Sequence, residues 1–90
     1  MSQVRIPPVL RTSAGGQKLI EVEGATVGEA LAALVAAYPD LGPRLLDESG
    51  AINRFVNVFV NETDVRHLQD LATPLGPGDT VLLLPAMAGG

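Results

Sequence analysis

Hydrophobic residues recur at two different spacings along the chain, and the spacing predicts which segments form strands and which forms a helix. Residues 3–10 and residues 18–23 carry apolar side chains at the alternating spacing of strands, and a polar connection with two glycines lies between them at residues 11–16. We therefore predict a β-hairpin. Pro7 and Pro8 remove two backbone donors from the first strand, so part of that strand is expected to be irregular or unpaired.

The clearest helical signal begins at Thr26. Glu29 follows Thr26 by three residues, which is the spacing of a capping box. The helix is expected to end before Pro39, because proline disfavours a helical conformation in the residue ahead of it. We expect its apolar stripe to pack against a sheet. The residues of this stripe are Val27, Ala30, Leu31, Leu34, Val35 and Tyr38.

The segment after this helix has weaker periodicity. Residues 43–46 are predicted to form a short second helix, and Ser49 and Gly50 a loop. Residues 54–61 then alternate cleanly, so they are predicted to form a strand with apolar side chains on both faces. The side chains that share one face of this strand are Val56, Val58 and Val60.

The last third of the chain contains two further predicted strands. A turn at residues 61–64 leads to a short strand at Val65 and Arg66. An irregular segment and a Pro-Gly turn follow, in which glycine supplies the positive φ of a type II turn. The last strand is predicted at residues 80–84, where Pro85 ends the hydrogen-bonded ladder.

The resulting order of elements, β-β-α-β-β-β, predicts the fold class. We expect an α+β fold in which one main helix packs on one face of a mixed sheet. Nothing in the sequence repeats, and no linker divides it. Residues 1–85 are therefore expected to form one domain, and residues 86–90 a flexible C-terminal tail.

Composition excludes several classes of function. Ten acidic residues against six basic ones give a net charge of −4, and the basic residues are scattered, so nucleic acid is not an expected partner. No stretch approaches the roughly 18 apolar residues of a membrane span, and no secretory signal opens the chain, so we expect a cytoplasmic protein without membrane contact. The chain has no cysteine and one histidine, His67, so no metal site is predicted. No serine has the setting of a hydrolase nucleophile.

The reactive group is expected in the tail, at the carboxylate of Gly90. Five extended residues reach roughly 16 to 18 Å, which is enough to enter a cleft of another protein. The last two residues carry no side chain, so the backbone can pass through a narrow channel. A frayed terminus is the alternative interpretation. The tail consists of Ala86, Met87, Ala88, Gly89 and Gly90.

A second candidate site is the face of the sheet that the helix leaves open. If Val56, Val58 and Val60 pack under the helix, alternation places their neighbours on the opposite face. An exposed apolar patch usually marks an interface, although patches of moderate size also occur on ordinary monomers. The predicted partner-binding residues are Phe55, Phe59, Leu82 and Leu84.

Short motifs spread over nearly the whole chain add a family resemblance. They are Gly15-Gly16-Gln17-Lys18, Arg54-Phe55-Val56-Asn57, Val60-Asn61, Asp64-Val65-Arg66, Leu71-Ala72-Thr73, Gly78-Asp79, Leu84-Pro85-Ala86 and the final Ala88-Gly89-Gly90. With this element order, they resemble the ubiquitin-like sulfur carriers of the ThiS and MoaD family, and among these the CysO-type carriers of cysteine biosynthesis. Residues 40–52 match that pattern poorly. The resemblance implies a β-grasp, ubiquitin-like fold.

The resemblance also implies a function. In that family a partner similar to the ubiquitin-activating enzymes, of the MoeB or ThiF type, uses ATP to adenylate the carboxylate that corresponds to Gly90. A sulfur donor then replaces AMP and leaves a terminal thiocarboxylate, so the chain would be a protein cosubstrate and not an enzyme. A carrier of the CysO type would deliver its sulfur to a cysteine synthase that depends on pyridoxal phosphate, and a metalloprotease would release cysteine. Both ATP and pyridoxal phosphate would be used by the partners, and no cofactor is expected on this chain.

Three other interpretations stay open at this point. The chain could be the small subunit of a molybdopterin-synthase-like complex, in which the same tail delivers sulfur inside a permanent heteromer. It could carry sulfur for thiamin or another sulfur-containing metabolite. It could also be a β-grasp binding module whose two terminal glycines are incidental.

Overall fold

A single mixed sheet organises the fold, and the computed structural model describes residues 2–85 of it. Its five strands lie in the order β2-β1-β5-β3-β4. β1 and β2 form an antiparallel hairpin, β5 runs parallel to β1, and β3 is antiparallel to both β5 and β4. The mixed sheet and the first hairpin were both predicted and are confirmed. The strands are β1 Ser2–Arg5, β2 Leu19–Val22, β3 Val56–Val60, β4 Thr63–Asp64 and β5 Thr80–Pro85.

The main helix, α1 (Val27–Ala37), begins at the predicted cap. The Thr26 side chain accepts a hydrogen bond from the Glu29 backbone N–H at 3.2 Å. Glu29 Oε1 in turn accepts one from the backbone N–H of Ala25 at 3.1 Å. These two bonds satisfy backbone donors that a helix start otherwise leaves without partners. Within residues 2–85 no other α-helix reaches the length of α1, as predicted.

Shorter helical turns connect the larger elements. The second helix, α2 (Gly42–Leu45), lies one residue before its predicted position. Four 3₁₀ helices also lie in the described part of the chain, and two of them belong to the segment that crosses from β4 to β5. They are Pro8–Ala14, Pro39–Leu41, Val65–His67 and Asp70–Ala72.

The core lies between α1 and one face of the sheet. The alternating valines of β3 are buried, as predicted. They form one cluster with buried residues of β1, β5, α1 and α2. Burial of these aliphatic side chains is the main stabilising contribution in a chain without disulfides. The principal members are Val4, Ile6, Leu31, Leu34, Leu41, Leu45, Val56, Val58, Val81 and Leu83.

The first predicted strand is wrong beyond Arg5. After β1 the chain forms the 3₁₀ helix Pro8–Ala14, for which Pro7 is the N-cap with an extended backbone. Proline is tolerated in the first turn of a helix, because the missing N–H has no helical partner there. Inside this helix Leu10 and Ala14 are buried, whereas Ile6 before it still donates its backbone N–H to the Lys18 carbonyl oxygen at 2.8 Å.

The strand predicted at Val65 and Arg66 is also misplaced. The residues that pair with β3 are Thr63–Asp64, and Val65–His67 forms a 3₁₀ helix. The side chain of Asp64 accepts a hydrogen bond from the Arg66 backbone N–H at 2.9 Å and so caps this turn. The cap diverts the chain from the sheet before Val65.

β5 extends one residue beyond its predicted end at Leu84, because Pro85 pairs in register with Val56 and is the last residue of the strand. The pairing of β1 with β5 stops at Leu82, so beyond that point β5 has a strand on one side only. Proline is acceptable where a strand edge needs no donor.

Candidate functional site

The central strand β5 leads directly to the predicted reactive tail. Pro85 is the last residue that the structure describes, and the tail residues lie outside the described residues. They are Ala86, Met87, Ala88, Gly89 and Gly90. The prediction that Gly90 reacts through its carboxylate therefore remains a prediction, and so does the division into a domain at residues 1–85 and a tail at residues 86–90. What the structure does describe is the surface around the strand from which the tail continues.

Three of the four predicted interface residues share the face of the sheet that faces away from α1. Phe59 pairs with Leu82 across β3 and β5, and Leu84 pairs with Asn57 one step further along. Residues paired in register point to the same side of a sheet, and the intervening Val58 and Leu83 are buried. Phe59 and Leu82 are half-buried, and Leu84 is 38% exposed. The predicted grouping of Phe59, Leu82 and Leu84 on the open face is thus confirmed.

Phe55 lies elsewhere, so the predicted position of this residue is wrong. It belongs to the turn before β3, and its backbone N–H donates to Asn53 Oδ1 at 2.9 Å. The alternation of β3 therefore does not extend to Phe55. Its ring is 49% exposed and helps to line a cavity of about 290 Å³ with Val9, Pro43 and Pro85. The guanidinium carbon of Arg54 lies 5.0 Å from the centre of the ring, within the range of a cation–π contact.

Sequence reasoning missed a groove on the open face. Its volume is about 530 Å³, and Leu82 and Leu84 belong to its lining. Leu19, which is 44% exposed, and the cationic residues Arg5 and Lys18 line the same groove. The alternation of β2 could have suggested that Leu19 faces away from the core. The proximity of Arg5 to Leu82 could not be inferred locally, because it depends on the pairing of β1 with β5.

A polar cluster holds the end of β5 that lies away from the tail. The Asp79 carboxylate accepts hydrogen bonds from the Gly76 backbone N–H at 2.8 Å and from Asn61 Nδ2 at 2.9 Å. The first of these bonds, and then the second, lower the pKa of the Asp79 carboxyl group. Asn61 Oδ1 accepts from the Thr80 backbone N–H at 3.1 Å. These bonds fix the turn that starts β5.

A second set of bonds fastens β3 at its outer edge. The two terminal nitrogens of Arg66 donate to Asn57 Oδ1 at 2.9 Å and to the Val56 carbonyl oxygen at 3.2 Å. Asn57 is the residue that pairs with Leu84, so Arg66 supports the part of the open face beside the tail.

Between residues 2 and 85 no group of three histidine or acidic side chains is placed to hold a metal ion. In the same part of the chain no helix is long and apolar enough to cross a bilayer.

The chain is similar to known proteins of one family. The ThiS family model matches residues 4–90. The sulfur carrier protein CysO of Mycobacterium tuberculosis is 46% identical over 89 residues, which cover 97% of this chain and 96% of the relative.

Two solved structures extend the likeness to three dimensions. A crystal structure of Mycobacterium tuberculosis CysO matches with a TM-score of 0.90 at 43% identity, over 97% of this chain and 100% of that one. A chain from the crystal structure of the Amycolatopsis orientalis BexX/CysO complex matches with a TM-score of 0.91 at 41% identity, over 100% of both chains.

The sheet order, the long helix α1 and these likenesses define a ubiquitin-like β-grasp protein. The chain belongs to the ThiS family. The resemblance found in the sequence is thereby confirmed, as is the prediction of a small carrier protein in place of an enzyme.

Proposed function

We propose that this protein carries sulfur as a thiocarboxylate on Gly90, for the biosynthesis of cysteine. The observation that carries the proposal is the family match, because it runs to residue 90 and so includes the two terminal glycines. The similarity to sulfur carrier proteins of the CysO type over nearly the whole chain supports the assignment to cysteine. The likeness to a CysO chain crystallised as a complex with BexX supports a function that depends on a partner protein.

The chemistry requires activation, because a free carboxylate is a poor electrophile. In the proposed cycle, a carboxylate oxygen of Gly90 attacks the α-phosphorus of ATP on a partner similar to the ubiquitin-activating enzymes, and pyrophosphate leaves. A sulfide donor then attacks the carbonyl carbon and displaces AMP. The product is a terminal thiocarboxylate, whose sulfur is nucleophilic near neutral pH.

The acceptor in this proposal is a cysteine synthase that depends on pyridoxal phosphate. The sulfur adds to a carbon–carbon double bond of the substrate held by that enzyme, so no group has to leave. A metalloprotease afterwards hydrolyses the bond between Gly90 and the new cysteine, which releases the cysteine and restores the free carboxylate. This chain contributes the reactive terminus, the length of the tail and a docking surface at its root. ATP, pyridoxal phosphate and the protease metal all belong to the partners.

The first prediction concerns the reach of Gly90. Its deletion would withdraw the reacting carbon by about 3.5 Å, and a displacement of only about 1 Å can cost on the order of 100-fold in rate. We therefore expect the shortened chain to melt at the temperature of the parent but to form no thiocarboxylate. The measurement is the intact mass after incubation with ATP, sulfide and the cognate activating enzyme, read as the replacement of one oxygen by sulfur.

A chain extended by one bulky residue after Gly90 provides a second variant, since it retains the reach but blocks a narrow channel. It too is expected to gain no sulfur. Efficient conversion of either variant would show that Gly90 is not the reactive terminus, and the proposed function would have to be abandoned.

A further inference from the structure

The groove on the open face has a cationic rim and an apolar floor. Arg5, Arg11 and Lys18 line it together with four leucines, and none of its lining residues, all of which belong to the described part of the chain, is acidic. We name this surface the basic groove, defined by Arg5, Arg11, Lys18, Leu19, Leu82 and Leu84.

The cationic rim stands out against the charge of the whole chain. Ten acidic residues outnumber six basic ones, and the net charge is −4. Half of the basic residues nevertheless line this one groove. Two acidic residues are its neighbours: Glu21 pairs across β1 and β2 with Gln3, which lines the groove, and Glu62 lines an adjacent depression with Arg5.

The rim is partly held in place before any partner arrives. Arg11 is half-buried, and its Nε donates to the Ile6 carbonyl oxygen at 3.2 Å. Arg5 lies in the middle of three paired strands, with Leu19 on one side and Leu82 on the other. A cation whose position is already restricted loses less conformational entropy when it binds a carboxylate.

We propose that the basic groove docks an acidic segment of the adenylating partner. The carboxylates of this segment pair with Arg5, Arg11 and Lys18, and an apolar side chain of the same segment packs on Leu19, Leu82 and Leu84. The inference rests on the proposed function, and it adds the chemistry by which the partner is recognised.

Charge complementarity is the reason for choosing an acidic segment. A chain of net charge −4 repels an acidic surface in most orientations, whereas the basic groove attracts it locally. Repulsion elsewhere and attraction at one place favour a single docking orientation. An apolar floor under the cations suits a protein segment better than a small anion, which would leave the leucines uncovered.

The groove is also well placed for the reaction. Leu84 lines it and is followed directly by Pro85, from which the tail continues. Five extended residues span roughly 16 to 18 Å, so the ATP site of a partner docked in this groove must lie within that distance of Pro85. Docking here therefore brings Gly90 to the nucleotide without any change in the domain.

Charge reversal of the rim tests the proposal on the full chain with its cognate activating enzyme. The variants are Arg5→Glu and Lys18→Glu, and the matched control is Arg44→Glu, an exposed arginine that lines no part of the groove. We measure the association rate and the Kd without ATP, at low and at high salt. Each rim variant is expected to associate on the order of 10-fold more slowly at low salt, and the difference should shrink at high salt.

The outcomes separate this inference from the proposed function. If Arg44→Glu weakens binding as much as the rim variants, net charge alone is responsible and the groove proposal is wrong. Unchanged association of both rim variants also overturns it. Because binding is measured directly, these outcomes count even if no thiocarboxylate forms. At saturating enzyme the rim variants should still acquire sulfur, whereas failure of the parent chain to do so would refute the proposed function only.

Discussion

At the scale of single residues, Gly24 is the clearest case of a position without room for a side chain. A Cβ at this residue would lie 2.7 Å from the backbone nitrogen of Ala30 and 3.0 Å from the carbonyl carbon of Glu29. Both atoms belong to the backbone of α1, which cannot rotate away as a side chain can. The backbone of α1 therefore packs directly against Gly24, in the segment that precedes the helix.

We predict that Gly24→Ala destabilises the fold. Forcing α1 to shift should lower the free energy of unfolding by about 1 to 3 kcal/mol, the range of overpacked interiors. The measurement is a denaturant titration followed by circular dichroism. Gly76→Ala is the matched control, since its Cβ would meet Asp79 Oδ2 at an ordinary 3.6 Å, and it should not be destabilised. Equal stability of both variants would contradict the packing seen at Gly24.

Asp79 supplies a prediction about acid. Hydrogen bonds from Gly76 and Asn61 depress the pKa of this carboxyl group below its ordinary 3.8 in the folded state. A depressed pKa stabilises the fold above the unfolded value, and this contribution is lost as the pH falls through the folded value. The melting temperature of Asp79→Asn should therefore lie below that of the parent at neutral pH, and the gap should narrow below pH 3.8.

The check is the melting temperature of both chains across the acid range. Asp40→Asn makes the same chemical change in the 3₁₀ helix Pro39–Leu41 and serves as the control. A gap between Asp79→Asn and the parent that stays constant with pH would show that the carboxylate charge is not what stabilises the turn.

At the scale of elements, the stability of α1 depends on the N-cap at Thr26 that the sequence predicts. Thr26→Ala removes the acceptor for the Glu29 backbone N–H, and it should lower the free energy of unfolding by about 1 kcal/mol. Thr12→Ala, at an exposed residue inside the 3₁₀ helix Pro8–Ala14, is the matched control. Denaturant titration of the two variants measures the difference. If Thr26→Ala matched its control, the capping bond would have no energetic role.

The elements that sequence reasoning predicted well are those specified by local patterns. The capping box located α1, and the alternation at Val56, Val58 and Val60 identified β3 together with its buried face. Where apolar composition alone supported a strand, the prediction failed. Val9 and Leu10 are apolar, but Pro7 and Pro8 start a 3₁₀ helix at this point, in which Leu10 is buried and Val9 is 58% exposed.

The same distinction explains which residues of the candidate site were predicted correctly. Alternation was sufficient to place Phe59, Leu82 and Leu84 on one face, because all three lie inside strands. Phe55 was misplaced because the bond to Asn53 turns the chain before the pleat begins. The basic groove could not be predicted from the sequence, because Arg5 and Leu82 become neighbours only through the parallel pairing of β1 and β5, which come from opposite ends of the domain.

At the scale of the whole molecule, the open face presents apolar residues beside the root of the tail. Leu84→Glu should weaken binding of the adenylating partner by at least about 10-fold, because a buried carboxylate would replace an apolar contact in the interface. The fold should survive the change, since Leu84 is 38% exposed. Titration calorimetry and the melting temperature measure the two effects separately.

Leu68→Glu is the matched control for this variant. Leu68 is 46% exposed, and it follows the 3₁₀ helix Val65–His67 outside the strands that form the open face. The same substitution at this site should leave the affinity for the partner unchanged. If Leu84→Glu bound as tightly as the parent, the open face could not be the docking surface.

The position of β5 also has a consequence for the order in which the protein is made. β5 follows every other described element in the sequence, yet it lies in the centre of the sheet, where it joins the hairpin of β1 and β2 to the pair of β3 and β4. During synthesis, which proceeds from the N-terminus, those two pairs emerge first and have no strand between them. The sheet can close only after residues 80–85 have left the ribosome. A chain interrupted earlier would leave one edge of β1 and one edge of β3 unpaired, and such exposed edges are templates for aggregation.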